Sequence, residues 1–284
     1  VYLIDRRDAL LTNDIHNLEK ELTQINKISV QPVDKGFSYP LQPIKTKHHK
    51  TSKTNLMEMN LCRGKGKSRY PADQNGVWIS GQRYSIAHSK SDWLWIDPLL
   101  FPEEEIVCAD TIRRAVRKGA KNFVLNAPWQ IALFQDPGHL NIWAGPFCNI
   151  TNSMTIHCLE EMGFSGVIVS PELDKQTFLA LPSKSCLPLG AVIYGNWPLG
   201  ISRIISLDLK IGEPFSSPMG ETAWVSKFND NYHIFPNWLL DLTQLKEELK
   251  RAGYSLFVNI HETIPQTVLI KKRPGLWNWN LNLI

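Results

Sequence analysis

The stretch LNIWAGPFCNITNSMTIHCLEEMGFSGVIVS, residues 140–170, joins two kinds of hydrophobic pattern. Its first five residues, LNIWA, and its last five, GVIVS, are short apolar runs that predict buried strands. Between them a helix is predicted from about Asn152 to Met162, because Thr151 or Asn152 can cap its start and Gly163 can end it. A strand, a helix and a second strand in this order predict parallel strands covered by helices.

The same pattern recurs on both sides of this stretch at intervals of roughly 20 to 30 residues. The fold class predicted is α/β, as a partial or complete (β/α) TIM-like barrel with an inserted β-hairpin around residues 229–231 and an amino-terminal appendage. A doubly wound open sheet is the alternative, but no strand is followed by a glycine-rich phosphate loop. The further strands predicted are 93–97, 122–126, 191–195 and 254–260, and the further helices are 103–120, 174–181 and 242–253.

The sequence divides into three parts by composition. Residues 1–29 are expected to be a strand and helix at the end of an upstream domain, and residues 91–284 the barrel-like domain. Residues 30–90 lack sustained periodicity and are predicted to be a basic, partly irregular connector. Within it, residues 45–69 hold eight lysines and arginines against a single glutamate, Glu58. Such a run suits either a solvated linker or contact with the phosphates of RNA.

Composition excludes several classes of protein. The chain has 284 residues, of which 43% are hydrophobic and 20% charged, as in globular proteins with a sizeable core. Its five cysteines are an odd number without a CxxC pair, so neither a disulfide framework nor a metal site is predicted. No apolar run reaches the roughly 18 residues of a membrane span and no signal peptide is visible, so a cytoplasmic location without membrane partners is expected.

Polar residues at the predicted strand exits form the candidate site, because the carboxyl ends of parallel strands meet on one side of the sheet. Glu172 follows Ser170 and Pro171, and the proline fixes the turn that aims its carboxylate. Glu172 and Arg203 are the predicted catalytic residues, although a helix start and a salt bridge would explain them equally well. The predicted substrate-binding residues are Asn126, Trp129, Asn149, Asn152, Ser170 and Asn196, and further strand exits supply Asp97, Gln130, His261 and Glu262.

No known catalytic motif accompanies these residues. HExxH and GxSxG are absent, and no cysteine lies in a recognisable nucleophile context. His261 beside Glu262 could transfer protons, but no nucleophile is visible nearby in the sequence. The residues alone therefore predict a pocket without a defined reaction.

The run from Leu140 to Leu173, followed by LPLGAVIYGNWPLGISR, resembles the collagenase-like U32 peptidase family. Members typically show an asparagine-rich turn, a helix with a leucine-glycine type stop, a Ser-Pro-Glu or Arg-Glu step and then Gly-x-x-Pro-Leu-x-x-Ser-Arg. The resemblance covers about residues 93–262, and VYLIDRRDALL resembles the junction after an inserted β domain in long members. The matching residues are Asn149, Asn152, Met162, Gly163, Ser170, Pro171, Glu172, Gly195, Pro198, Leu199, Ser202 and Arg203.

The resemblance implies a barrel fold, a peptidase acting on peptide substrates, and a chain that is the carboxy-terminal part of a longer one. Some relatives instead hydroxylate RNA bases or quinone precursors and hold an iron-sulfur cluster through four cysteines. Here no cysteine follows Cys186. No cofactor is therefore predicted, and a cluster would need upstream cysteines. RNA modification and a non-catalytic structural half-domain remain the alternatives to peptidase activity.

Overall fold

A computed structural model describes residues 15–20, 56–63, 72–79 and 92–277 of the chain. Residues 15–20 form an exposed helix, α1, in a unit that spans Val1–Lys45. All other described residues belong to a second unit, Thr46–Ile284. No helix among the described residues has the length and apolar character that crossing a membrane requires.

Eight parallel strands of the second unit close into a barrel. Each strand pairs with the next in chain order, and the last pairs with the first from Met57 opposite Leu256 to Cys62 opposite His261. This closure confirms the TIM-like barrel and excludes the open sheet. The barrel strands are β1 (Met57–Cys62), β2 (Gln74–Ile79), β3 (Trp93–Ile96), β4 (Asn122–Leu125), β5 (Asn141–Ala144), β6 (Gly166–Ile168), β7 (Leu189–Gly195) and β13 (Tyr254–His261).

Within residues 92–277, four α-helices connect barrel strands, and local signals in the sequence explain where several of them begin and end. They are α2 (Pro102–Arg117), α3 (Ser153–Glu161), α4 (Lys175–Ala180) and α5 (Lys246–Ala252). The side chain of Asn152 accepts a hydrogen bond from the backbone N–H of Thr155, which confirms it as the cap of α3. α5 ends at Gly253, whose φ of 118° is accessible to glycine at little cost.

A second, antiparallel sheet is inserted between β7 and β13. It contains β8 (Gly200–Ser202), β9 (Pro214–Ser216), β10 (Thr222–Phe228) and β11 (Asn231–Pro236), in the order β8-β11-β10-β9. β10 and β11 form the predicted hairpin, and Asn229 in its turn has a φ of 54°. A short strand, β12 (Leu240–Asp241), then pairs antiparallel with β7.

The barrel is filled by large side chains that fit tightly against small residues. Trp93 and Trp95 are almost completely buried, and the ring of Trp93 meets that of Trp143 edge to face at 5.9 Å. A Cβ atom at Gly166 would lie only 2.3 Å from the Trp143 ring. Glycine at position 166 therefore makes room for the tryptophan, which a larger residue would displace.

The structure differs from the sequence prediction at the start of the barrel. β1 and β2 lie inside residues 30–90, for which the sequence predicted a basic, partly irregular connector. Met59 and Leu61 are completely buried, but Glu58, Asn60 and the glycines that follow interrupt the apolar run. β1 was hard to recognise because Glu58 and Asn60 interrupt its apolar residues, and β2 because its apolar run is only the three residues from Val77 to Ile79.

Candidate functional site

Three charged residues meet at the carboxyl end of the barrel. Arg63, Asp97 and Glu262 each come directly after the last residue of a strand, β1, β3 and β13 respectively. Parallel strands direct these exits to the same end of the barrel, where residues far apart in the sequence become neighbours. We call these three residues the mouth cluster.

Arg63 lies between the two carboxylates of the mouth cluster. Its Nη1 is 3.0 Å from Oδ1 of Asp97, and its Nε is 3.0 Å from Oε1 of Glu262. The side chain of Arg63 is 16% exposed, and those of both acids are only 3% exposed. At such burial the ion pairs lie in a medium of low dielectric constant, where each charge depends strongly on its partners.

The β10–β11 hairpin covers the mouth cluster with Phe228 and Asn229. The guanidinium carbon of Arg63 lies 3.9 Å from the centre of the Phe228 ring and 4.5 Å from that of Trp78. The side-chain amide of Asn229 donates to Oδ2 of Asp97 over 3.3 Å. Arg63 is thus enclosed between two aromatic rings, and the hairpin limits access of water to the acids.

One cation faces two buried carboxylates, and burial has the largest effect on their protonation. Burial raises the pKa of Glu262 to about 7, although Arg63 acts in the opposite direction. Burial also raises the pKa of Asp97, again against the effect of Arg63. Glu262 therefore changes its charge near neutral pH, which is the behaviour expected of a group that exchanges protons.

Several buried polar atoms next to the mouth cluster have no hydrogen-bond partner within the described residues. They are Oε2 of Glu262, Oδ1 of Asn126 and Nδ2 of Asn196. The other ends of the two amides are engaged: Asn126 donates to the carbonyl of Ile96 over 2.8 Å, and Asn196 accepts from the backbone N–H of Glu262 over 3.3 Å. Unpaired buried polar groups cost stability, so these three atoms are candidates for contact with a bound molecule.

Three predicted amide side chains lie at the carboxyl end of the barrel, those of Asn126, Asn196 and Gln130. Each forms a hydrogen bond with the backbone at the end of a barrel strand. Gln130 donates to the backbone carbonyl of Asp97 over 2.8 Å and accepts from the backbone N–H of Asn126 over 2.9 Å. A Cβ atom at Gly145 would lie 2.0 Å from Oδ1 of Asn126, so glycine at this position gives the amide its space. These residues position the backbone around the cluster.

Glu172 and Arg203, the predicted catalytic residues, have different surroundings in the structure. Glu172 is exposed, and its backbone N–H donates to Oγ of the buried Ser170 over 3.3 Å. Arg203 stacks on Phe101 at 3.7 Å and lies 3.5 Å from Glu103. In the part of the chain that the structure describes, no ion pair or hydrogen bond joins the side chains of Glu172 and Arg203.

The other predicted residues lie at the surface. Trp129 is 42% exposed, and Asn152 is engaged as the cap of α3. Asn149 is exposed and has a φ of 53°, a backbone conformation that asparagine tolerates better than most residues. Local structure therefore accounts for both asparagines.

Sequence reasoning missed Arg63 and the hairpin tip as parts of the site. Arg63 was counted within the basic run at residues 45–69, whose other basic members lie outside the described residues. The available signal was its position two residues after Leu61 and four after Met59, both of which are buried in the barrel. Alternation in a strand directs all three side chains to the same face.

His261 and Glu262, which the sequence paired, contact different groups. Nε2 of His261 lies 3.3 Å from Oδ1 of Asn60, whereas Glu262 binds Arg63. Burial lowers the pKa of His261, so its neutral form is favoured. Successive residues of an extended segment project to opposite faces, which explains the separation.

The cysteines do not fit a four-cysteine iron-sulfur cluster. All five are described as free thiols, and burial raises the pKa of both Cys108 and Cys148 to about 12. Within the described residues, one group of side chains has metal-ligand spacing, and it contains a single cysteine.

Comparison with known proteins finds one similar solved structure. No protein-family model matches the chain, and neither does any curated protein. The chain is similar in structure to the U32 peptidase Mk0906, with 11% sequence identity and a TM-score of 0.45, over 75% of this chain and 95% of that one. The assignment of the barrel and of the mouth cluster rests on the strand pairing and contacts of this chain itself.

Proposed function

We propose that this chain is a peptidase that hydrolyses peptide bonds at the carboxyl end of its barrel, with Glu262 as general acid and base. The observation that carries the proposal is a carboxyl group that is 3% exposed at the barrel mouth and has a pKa of about 7. A group with its pKa near the working pH can both accept and return a proton efficiently.

The chemistry requires Glu262 to act in its ionised form first. Its carboxylate would take a proton from a water molecule whose oxygen forms a bond with the peptide carbonyl carbon. Glu262 would then give that proton to the leaving nitrogen as the carbon–nitrogen bond breaks. Arg63 would fix Glu262 through its Nε and offset negative charge that develops nearby.

Asp97 has a positioning role in this proposal. It binds Nη1 of Arg63 on one oxygen and the amide of Asn229 on the other. Arg63 is thereby held toward Glu262 in one orientation, and Gln130 anchors the backbone of Asp97 itself. The hairpin tip covers these groups, so entry of a peptide requires Phe228 and Asn229 to move aside.

The choice of a peptide as substrate is supported by the motif resemblance over residues 93–262. The same resemblance makes Glu172 and Arg203 candidates for outer contacts with the substrate, together with Trp129, Asn149, Asn152 and Ser170. Asn126 and Asn196 would act at the mouth itself. A cytoplasmic location and association with the remainder of a longer chain stay predictions.

The test compares Glu262→Gln with Glu172→Gln in cleavage of casein and gelatin. We expect Glu262→Gln to lower kcat/KM by about 10²- to 10⁴-fold, because it removes proton transfer and keeps the side chain's shape. Glu172→Gln changes an exposed carboxylate that would make only an outer contact with the substrate, so it should keep most of the activity. The wild-type rate should rise with pH on an acidic limb centred near the pKa of Glu262, about 7.

Two results would contradict this proposal. One is a wild-type chain that cleaves neither substrate between pH 5 and 9 although it is folded. The other is full activity in Glu262→Gln, which would assign the proton transfer to another residue. Loss of activity in Glu172→Gln but not in Glu262→Gln would instead support Glu172 as the catalytic residue, as the sequence predicted.

A non-catalytic domain is the second candidate, and one observation favours it. Arg63 is enclosed by Trp78 and Phe228 and bound to both acids, as in a static structural network. In that case Arg63→Met would lower stability while no proteolysis is found in any variant. RNA modification stays a prediction without such support, because Arg63, the described member of the basic run, is engaged in the barrel.

A further inference from the structure

A second group of reactive side chains lies at the opposite end of the barrel from the mouth cluster. His157 and Glu160 are in the last turns of α3, which leads to the start of β6. Cys186 is in the segment that leads to the start of β7. The amino ends of these neighbouring strands therefore bring the three residues together, and the proposed peptidase chemistry does not use them.

The three side chains have the spacing of metal ligands. Their donor atoms, a ring nitrogen of His157, a carboxylate oxygen of Glu160 and the sulfur of Cys186, all lie within 4.8 Å of one another. His157 and Glu160 are three residues apart on one helix, so both project from the same face. We propose that His157, Glu160 and Cys186 form a zinc-binding site.

The type of donor atoms favours Zn²⁺ over other abundant cations. Imidazole nitrogen, thiolate sulfur and carboxylate oxygen are the ligands of tetrahedral zinc, whereas Mg²⁺ and Ca²⁺ prefer oxygen alone. Zinc bonds of about 2.0 Å to nitrogen and oxygen place two such ligands roughly 3.3 Å apart. Nδ1 of His157 is 3.3 Å from Oε2 of Glu160, so these two need little movement.

Glu161 supplies the outer contact that zinc-binding histidines commonly have. Its Oε1 lies 3.6 Å from Nε2 of His157, the ring nitrogen that would not bind the metal. At 3.6 Å the two atoms form an ion-pair contact and not a hydrogen bond. A small movement of the exposed Glu161 side chain would let its carboxylate accept the Nε2 proton and leave Nδ1 to the metal.

The site is accessible from solvent and keeps one coordination position open. The side chains of His157 and Glu160 are 34% and 38% exposed, so a metal ion can enter without unfolding. Three protein ligands would leave the fourth position to water. A bound ion would connect α3 to the segment before β7 and stabilise the amino end of the barrel, away from the mouth cluster.

Zinc binding is tested on the whole chain, freed of metal with a chelator and titrated with Zn²⁺ alone. We expect one equivalent to bind, and zinc at 100 times its Kd to raise Tm by about 5 to 10 °C. Cys186→Ser and His157→Gln should each weaken binding at least about 100-fold. Glu161→Gln should weaken it by about 10- to 100-fold, the usual effect of losing an outer partner.

Cys158→Ser is the matched control, because Cys158 is an exposed cysteine on the same helix outside the group. It should bind zinc as the wild type does. Co²⁺ as a probe should show a thiolate charge-transfer band that disappears in Cys186→Ser and persists in Cys158→Ser. Absence of a one-equivalent zinc site, or equal affinity in the wild type and in folded Cys186→Ser, would overturn the proposal.

Discussion

Two arginine sites near the barrel differ mainly in their burial. At the mouth cluster, Arg63 holds two acids whose side chains are 3% exposed. Arg203 instead pairs with Glu103, a side chain that is 67% exposed, and is itself 34% exposed. The pKa of Glu262 rises to about 7 because its charge is removed from water. Exclusion of solvent at the mouth cluster therefore raises the proton affinity of the Glu262 carboxyl group.

The largest effect is expected from removing each arginine in turn. Arg63→Met leaves two buried carboxylates without their cation, so the free energy of unfolding should fall by about 3 to 5 kcal/mol. Arg203→Met breaks a solvated pair and should cost about 1 kcal/mol or less. Urea denaturation at pH 7.5 measures both. Equal losses in the two variants would mean that burial does not distinguish the sites.

The second largest expected effect is a pH dependence of the unfolding free energy, which the carboxyl group of Glu262 causes. Its pKa in the folded chain, about 7, is above the value of 4.5 that it has without burial. The folded state therefore binds the extra proton between these values, and stability falls as pH rises from about 4.5 to 7. Gln resembles the protonated carboxyl group and lacks this dependence.

Denaturation of the wild type and Glu262→Gln from pH 5 to 8 measures this difference. The two should be about equally stable at pH 5, and the variant should be more stable by about 1 to 3 kcal/mol near pH 7.5. Glu172→Gln, at an exposed carboxylate, should show no such divergence from the wild type. A constant difference between wild type and Glu262→Gln would show that Glu262 keeps an ordinary pKa.

The smallest effect concerns the hairpin tip that excludes water from the mouth cluster. Asn229→Gly keeps the positive φ of 54° but removes the hydrogen bond to Asp97. We expect a loss of about 1 kcal/mol in unfolding free energy, since relief of the backbone offsets part of the lost bond. Hydrogen exchange of the hairpin amides should become faster. Slower exchange would contradict a role of Asn229 in holding the tip.

The sequence predicted the barrel through local signals. Asn152, Gly163 and Gly253 mark the ends of helices that the structure confirms, and the short apolar runs mark β3 to β7 and β13. Helix caps, glycine stops and apolar runs depend on residues that are close in the sequence, so they can be recognised without knowing the fold. β1 was not recognised because its buried Met59 and Leu61 alternate with polar residues.

The candidate site was predicted only in part. Strand exits identified Asp97, Asn126, Asn196 and Glu262 as residues at one end of the barrel. Arg63 was assigned to a basic run, and nothing in the sequence showed that Asn229 would reach Asp97, a residue 132 positions away. Glu172 and Arg203 were preferred because of their motif, yet the structure leaves them separate and accessible to water.

The sequence by itself determined the alternation of strands and helices, because caps, glycine stops and apolar periodicity depend on neighbours along the chain. Only the tertiary structure decided which charges become buried together. Strand β13 pairs with β1, which places Glu262 next to Arg63. Phe228 of the hairpin packs against Arg63, and the Glu262 carboxyl group is removed from water. The resulting proton affinity depends on that exclusion of solvent, which no single segment of the chain can produce.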